Sequence, residues 1–183
     1  MTFNEVASLF IGGALVCWLA YGFIFESNVA QPNYLKGPNL DGIETRVYKS
    51  LDVISVSNND DSQSFRLLFN YISGSNQKAN KIPMTAPLIE YNSEMMFVLP
   101  KMDSIPKPNN ENVKIKSITN LTVAVKKFKG SSKKSKKILN ALRKDLKALG
   151  VQTPEEWYLA QYNSPWVFPL FRKNEVWVVI KIE

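Results

Sequence analysis

The stretch from Tyr162 to Trp177 has the composition of a binding loop for a flat apolar molecule. Within sixteen residues it contains five aromatic side chains, two prolines and the adjacent cations Arg172 and Lys173. Pro165 and Pro169 fix φ and lack an N–H donor, which disfavours a regular helix or central strand between them. A stiff aromatic loop with a basic end suits an apolar ring system that carries acidic groups. The alternative is that its aromatic side chains fill the domain core, namely Trp166, Phe168 and Phe171.

The residues expected of a catalytic or metal site are missing from this sequence. It contains no histidine, so the usual general base and the commonest metal ligand are absent. The one cysteine, Cys17, lies in an apolar run, and the carboxylates have no spacing typical of metal ligands. Glu175, beside Arg172 and Lys173, is typical of a salt-bridge or turn residue. These observations favour a binding protein with no catalytic residues and no metal ligands.

Positive charge is concentrated in one segment of the chain. The formal net charge is +7, and residues 126–147 contain ten lysine or arginine residues but one acidic residue, Asp145. Gly130 and Gly150 bracket a predicted helix, Lys133 to Leu149, with apolar residues on one arc and lysines on the other. The basic face is either solvated or a contact for anionic lipid or an acidic partner. Nucleic acid is not expected, because no aromatic residues interleave the lysines and no nucleic-acid motif is present.

An uncharged N-terminal run, Val6 to Phe25, predicts a membrane anchor. Twenty helical residues span about 30 Å, the thickness of the hydrocarbon core of a bilayer. Trp18 and Tyr21 lie toward the end of the run, where an aromatic belt is found. A cleaved signal peptide is the alternative, but the run is long for one and no lysine or arginine precedes it. The expectation is a single-pass membrane protein.

The predicted layout is an anchor over residues 1–26, a linker over 27–41 and a folded domain over 42–183. Pro32, Gly37 and Pro38 indicate the linker. Within about fifteen residues of the span, Lys36 is the one cation, so the positive-inside rule weakly favours a cytoplasmic domain.

The first predicted helix, Gln63 to Ser73, is apolar over more than half of its circumference. A core stripe at helical spacing comprises Phe65, Leu68, Phe69 and Ile72. Leu67 and Tyr71 lie to one side of this stripe. Either they face something other than the core, or they lie under a loop. The expected N-cap is Asp61 or Ser62.

The remaining segments read as strands of an α+β domain. They are Ile43–Ser57, Ile82–Tyr91, Glu94–Leu99, Val113–Ile118, Leu121–Phe128, Glu155–Tyr162 and Asn174–Ile182. Asn92-Ser93 predicts a tight hairpin, and Pro83 and Pro87 confine their strand to an edge or bulge. The order strand, helix, proline-containing strand, strand occurs twice, beginning near Ile43 and near Val113. This pattern predicts two pseudo-symmetric halves with a cleft related to the two-fold axis.

Several motifs resemble those of the SOUL haem-binding protein family and occur in the family's order. The motifs are Gly42-Ile-Glu-Thr-Arg-Val-Tyr, Tyr71-Ile-Ser-Gly-Ser-Asn, Ile82-Pro-Met-Thr-Ala-Pro, Phe97-Val-Leu-Pro, Val123-Ala-Val-Lys-Lys-Phe-Lys-Gly and the stretch from Tyr162 to Trp177. Together they cover residues 42 to 182. The resemblance implies a distorted antiparallel β-barrel carrying two helices.

The resemblance also implies haem or porphyrin held without a covalent bond, between the first helix and the C-terminal loop. Carried onto this sequence, the apolar wall comprises Leu67, Tyr71, Trp166, Phe168 and Phe171. The side chains available for the propionates are Arg66, Lys78, Arg172 and Lys173. Ligation of iron through histidine, expected of some family members, is impossible for this chain. The wider resemblance to GyrI-like domains leaves a Glu175-based hydrolase as a minor alternative, and a non-haem interaction module at a membrane as another.

Overall fold

The computed structural model describes residues 29–58, 60–164 and 167–181. Seven strands and two α-helices are present in this part of the chain. The strands are β1 (Leu35–Lys36), β2 (Glu44–Ser57), β3 (Leu88–Tyr91), β4 (Glu94–Val98), β5 (Lys114–Lys129), β6 (Trp157–Gln161) and β7 (Lys173–Val179). The helices are α1 (Asp61–Ile72) and α2 (Ser135–Ala148), and short 3-10 turns cover Ser132–Lys134 and Pro169–Phe171.

Six antiparallel strands close into a barrel in the order β2-β4-β3-β6-β7-β5, with β5 pairing back to β2. Exchange of β2 with β5, β4 with β7 and β3 with β6 reproduces every pairing of the barrel. Helix α1 packs on β2 and β4, and α2 packs on β5 and β7. The predicted antiparallel α+β barrel with two pseudo-symmetric halves is therefore confirmed.

Apolar residues form three layers, one inside the barrel and one under each helix. Tyr48 and Trp177 stack in the interior with ring centroids 5.1 Å apart. Leu68 packs under α1, and Leu142 and Leu146 pack under α2. Each of these helix leucines is at most 1 % exposed, and burial of such a side chain contributes about 1.5–3 kcal/mol.

Two predicted strand boundaries are wrong. Residues 113–128 were expected to form a strand pair, but β5 is one strand of 16 residues. Asn120 adopts a φ of +53° within it, and pairing with β2 on both sides of that position keeps the strand continuous. The strand expected from Ile82 begins at Leu88 instead, because Pro83 and Pro87 have no N–H to donate to a ladder.

The helices begin close to their expected positions, with differences at the caps. Asp60, rather than Asp61 or Ser62, caps α1, and its Oδ1 accepts from the N–H groups of Ser62 (2.9 Å) and Gln63 (3.0 Å). The Asn92-Ser93 hairpin is confirmed, with φ values of +45° and +59°.

The segment expected to link anchor and domain contributes to the sheet. Ala30 bridges Thr85, and β1 pairs with Val47 and Arg46 along an edge of β2. No helix within the described residues is long and apolar enough to cross a membrane. The predicted span, Val6 to Phe25, lies outside the described residues, so the anchor stays a prediction.

Candidate functional site

The loop between β6 and β7, residues 162–172, presents apolar side chains to solvent. Phe168 and Phe171 are 37 % and 57 % exposed, and Leu170 between them is 66 % exposed. The two phenyl rings lie 6.0 Å apart across the 3-10 turn. The hypothesis that Phe168 and Phe171 fill the core is therefore wrong, since Val167 is the buried apolar residue of the turn. Trp166 lies outside the described residues.

The basic end of this loop is held by backbone contacts. The Nε of Arg172 donates to the carbonyl oxygen of Val167 at 2.9 Å. Lys173 begins β7 opposite Lys129, and its side chain is exposed. The two cations that follow the aromatic turn are thus fixed relative to it.

Three other predicted site residues, Arg66, Leu67 and Tyr71, lie on α1, and they differ in exposure. Arg66 is exposed, and Leu67 packs against the apolar layer under the helix. Tyr71 is 1 % exposed, and its hydroxyl donates to the carbonyl oxygen of Pro106 at 2.6 Å. Of the two alternatives for Leu67 and Tyr71, the structure favours the one in which Tyr71 lies under a loop.

The predicted core stripe of α1 is partly wrong. Phe69 is 46 % exposed, whereas Ser64, Leu68, Tyr71 and Ile72 are buried. The helix is rotated toward Tyr71 because the loop over residues 100–113 covers that side. Lys78, the fourth predicted cation, donates from Nζ to the Oγ of Ser104 at 2.7 Å. The nine predicted binding residues therefore fall into a loop group and a group near α1, and their roles stay predictions.

A buried ionic cluster that the sequence analysis missed lies inside the barrel. The guanidinium of Arg46 donates to both oxygens of Glu175, at 2.8 and 2.9 Å. The Tyr162 hydroxyl and the Trp177 Nε1 each donate to Glu175 Oε2 at 2.7 Å. The Arg46 and Glu175 side chains are 4 % and 7 % exposed. The salt-bridge role expected for Glu175 is found, but its partner is 129 positions away rather than Arg172 or Lys173.

The cluster extends outward to Tyr34, which precedes β1, and to Glu44, the first residue of β2. The ring of Tyr34 covers the Arg46 guanidinium, with 4.6 Å from Cζ to the ring centroid, and Glu44 accepts from Arg46 Nε at 2.7 Å. Burial alone opposes the charged form of Arg46, but its hydrogen bonds to Glu175 and Glu44 outweigh burial and raise the pKa of Arg46. Burial and the adjacent Glu175 charge raise the pKa of the Tyr162 hydroxyl. Both groups therefore keep their protons throughout the neutral range.

An open cleft of about 190 Å³ lies between the N-terminal ends of α1 and α2, over β3 and β6. Its lining includes Asp61, Glu90, Tyr91, Ser135 and Trp157. None of the eight predicted binding residues that the structure describes lines this cleft. Its volume is below the roughly 300–1,000 Å³ of pockets for drug-sized ligands. This cleft is therefore not the predicted tetrapyrrole site.

The carboxyl group of Glu90 in this cleft gives the folded protein a specific pH dependence. Burial raises its pKa, the charge of Asp61 raises it further, and a hydrogen bond from Gln161 (2.6 Å) partly offsets both. The folded-state pKa thus exceeds the unfolded one, so stability is lost as pH rises from the unfolded toward the folded pKa. The pH window of this effect is the range between the unfolded-state and folded-state pKa of Glu90. At pH values above this window we expect Glu90→Gln to raise the free energy of unfolding, and at pH values below it we expect no change. Denaturant unfolding over a pH series measures this difference.

A second variant tests whether the charge of Asp61 contributes to the raised pKa of Glu90. Asp61→Asn removes a charge that raises the pKa of Glu90, so it should move the pH window downward. Identical pH profiles for Glu90→Gln and the unmodified protein would contradict this account.

Comparisons with known proteins agree with this geometry. A family model described as SOUL heme-binding protein matches residues 29–179. Heme-binding protein 2 from Homo sapiens is 34 % identical over 135 residues, and that from Mus musculus is 32 % identical over 135 residues. Each match covers 65 % of this chain and 65 % of the relative, so the chain spans just under two thirds of their length.

Solved structures show the same fold at low identity. The EcmrR C-terminal domain has a TM-score of 0.57 at 14 % identity, covering 82 % of this chain and 99 % of that domain. A hydrolase from Listeria innocua has a TM-score of 0.55 at 9 % identity, covering 79 % of this chain and 94 % of the hydrolase. At these identities the likeness concerns the fold alone.

Proposed function

We propose that this chain, which belongs to the SOUL heme-binding protein family, is a membrane-anchored module that binds haem or a related tetrapyrrole without a covalent bond. The observation that carries the proposal is the exposed aromatic turn ending in Arg172 and Lys173. Monomeric proteins seldom expose adjacent large apolar side chains without a use for them. The names of the curated relatives and the family match support the ligand class.

The chain's own residues fit an apolar plate that carries carboxylates. Phe168 and Phe171 supply apolar contact, and Arg172 and Lys173 supply positive charge within two residues of it. Arg66 and Lys78 are further cations on the side of α1. When bound, haem would supply a redox-active iron, while these residues hold its faces and propionates.

The described residues that could coordinate iron are poorly placed to do so, because two of them already form hydrogen bonds within the protein. The Tyr71 hydroxyl is buried and donates to Pro106, so ligation would require that bond to break. Met84 is 41 % exposed, and Lys78 is hydrogen-bonded to Ser104. With no histidine in the sequence, binding is expected to rest on apolar contact and charge pairing rather than coordination.

Titration of the purified full chain with hemin and with iron-free porphyrin tests this proposal. We expect the two affinities to agree within about tenfold, a difference of about 1.4 kcal/mol. Phe171→Ala should weaken binding more than Tyr71→Phe, because it removes apolar contact area rather than one oxygen. Arg172→Ala should weaken binding and reduce its salt dependence.

Leu149→Ala is the matched control, since Leu149 is an exposed apolar residue (41 %) at the end of α2. It should leave both affinities unchanged. Much tighter binding of hemin that Tyr71→Phe abolishes would overturn the non-coordinate model while keeping the ligand. Absence of saturable binding for either compound would refute the proposed function.

An interaction module at a membrane surface is the second candidate function. Six lysines of the basic segment are exposed around α2, namely Lys133, Lys134, Lys136, Lys137, Lys144 and Lys147. A cationic face of this kind suits anionic lipid or an acidic partner. A cytoplasmic position of the domain is part of this proposal and rests on the positive-inside rule alone.

A further inference from the structure

The most exposed apolar side chains of the β6–β7 loop form a hydrophobic tip, defined here as Phe168, Leu170 and Phe171. Leu170 and Phe171 are 66 % and 57 % exposed. They lie on one 3-10 turn, where the amide of Phe171 donates to the carbonyl of Phe168 at 2.9 Å. Single exposed apolar residues are ordinary, but three on one turn form a contiguous patch.

Four exposed lysines near the base of the loop form a cationic collar, defined as Lys129, Lys133, Lys134 and Lys173. The Gly130 amide donates to the carbonyl of Arg172 at 2.9 Å, which ties the start of the α2 region to the loop. Lys129 pairs with Lys173, and Lys134 Nζ lies 3.1 Å from where a Cβ on Gly130 would be. Residues 162–174 and 126–144 contain no acidic residue, so these two segments carry only positive charge.

The chain enters the domain at the same end of the barrel. Ala30 bridges Thr85, and the amide of Ala86 donates to the carbonyl of Ala30 at 2.9 Å. Leu88, three residues after Thr85, pairs with Gln161, the last residue of β6 before the loop. Five residue-to-residue steps lead from the end of the proposed anchor at Phe25 to Ala30. They reach about 17 Å at most, so a bilayer that held the anchor would lie within reach of the loop.

We propose that the hydrophobic tip inserts into an anionic phospholipid bilayer, with the collar lysines at the headgroups. The proposal deepens the proposed function, because it rests on the anchor placing the domain beside the bilayer. Phe168 and Phe171 then contact either the bilayer or the tetrapyrrole at any one time, so the test uses the chain without added tetrapyrrole. Apolar side chains at the boundary of headgroups and acyl chains, flanked by cations, are the usual composition of an interfacial contact. The domain would then contact the membrane at two points, which sets its orientation.

The test uses the full chain in a Cys17→Ser background, since Cys17 is the sole cysteine. An environment-sensitive fluorophore is attached at Leu170→Cys or at Ile115→Cys. Ile115 is an exposed apolar residue near the opposite end of β5 from Lys129, about 45 Å away along the strand. The protein is reconstituted into phosphatidylcholine vesicles with and without phosphatidylserine, and flotation records how much is retained.

We expect the label at Leu170 to shift to shorter wavelength in vesicles that contain phosphatidylserine and to be quenched by brominated lipid. The label at Ile115 should show neither effect. Lys133→Gln with Lys134→Gln should reverse the change at Leu170, whereas Lys144→Gln with Lys147→Gln, which removes equal charge at the other end of α2, should not.

Four outcomes overturn the proposal. Aqueous emission at Leu170 in chains that float with the vesicles excludes tip insertion while leaving the anchor intact. A shift that brominated lipid does not quench means that protein, rather than lipid, covers the tip. Equal effects of the two lysine pairs assign the attraction to the whole α2 face instead of the collar. Failure of the chain to float refutes the anchor itself, and with it this proposal, and so is distinguishable from the first outcome.

Discussion

Glu175→Ala is expected to lower the free energy of unfolding by about 3–5 kcal/mol, because it leaves the Arg46 charge buried without its bidentate partner. The loss also removes the acceptor of the Tyr162 hydroxyl and the Trp177 Nε1. Unsatisfied buried donors carry a desolvation cost beyond the lost bond. Glu44 alone remains to pair with Arg46, and its side chain is 35 % exposed. Denaturant unfolding measures the change.

A double-mutant cycle shows whether the lost stability comes from the interaction between Arg46 and Glu175. Arg46→Met with Glu175→Gln should cost less than the sum of the single changes, by about 0.5–3 kcal/mol. Lys126→Ala is the control, since it breaks the pair with Asp145, in which both side chains are over a third exposed. It should change stability by no more than about 1 kcal/mol. Additivity of Arg46→Met and Glu175→Gln would contradict a coupled buried cluster.

Removal of residues 1–28 is expected to turn a membrane-retained protein into a soluble one that unfolds at an unchanged midpoint. The run Val6 to Phe25 supplies the membrane affinity in this account, while the fold begins with the bridge of Ala30 to Thr85. Carbonate washing of membranes and thermal unfolding are the two measurements. A chain that starts at Leu35 should unfold at a lower midpoint, because it loses the Tyr34 ring over Arg46 and the Ala30 bridge.

A full-length variant tests whether membrane retention depends on the hydrophobicity of the N-terminal run or only on its presence. Leu15→Arg with Leu19→Arg keeps every residue but disfavours a helix inside the bilayer by about 2.5–3.5 kcal/mol per arginine. It should behave as the truncated chain in the carbonate wash. Signal peptides are about 15–30 residues long. Recovery of an intact domain that lacks about the first thirty residues would therefore identify Val6 to Phe25 as a cleaved signal instead.

The sequence predicted the loop between β6 and β7 only in part. Pro165 and Pro169 predicted an aromatic loop without an α-helix or strand from local rules alone, and its described part contains only the 3-10 turn Pro169–Phe171. The exposure of Phe168 and Phe171 could not be read from residue type, because aromatic side chains are found both in cores and at binding surfaces. Their burial depends on what packs against the turn.

Helix α1 shows why the site near Tyr71 was hard to predict. Periodicity assigned Phe69 to the core, yet Phe69 is 46 % exposed and Tyr71 is 1 % exposed. A helix that is apolar over more than half of its circumference does not determine which arc faces the sheet. The loop over residues 100–113 decided it, through the bond from Tyr71 to Pro106.

Most elements, the two-fold pattern and the family could be read from the sequence, since these depend on periods, turn residues and motifs along the chain. The exceptions are β1, which lies in the expected linker, and β5, which was expected as two strands. The tertiary structure alone decided the contents of the barrel. Glu175 follows Lys173 by two residues on the same face of β7. Glu175 nevertheless lies inside the barrel, while Lys173, the first residue of the strand, stays exposed. Closure of β5 onto β2 then brings Arg46 to Glu175 from 129 positions away. No local rule connects residues so far apart, because their contact exists only once the barrel has closed.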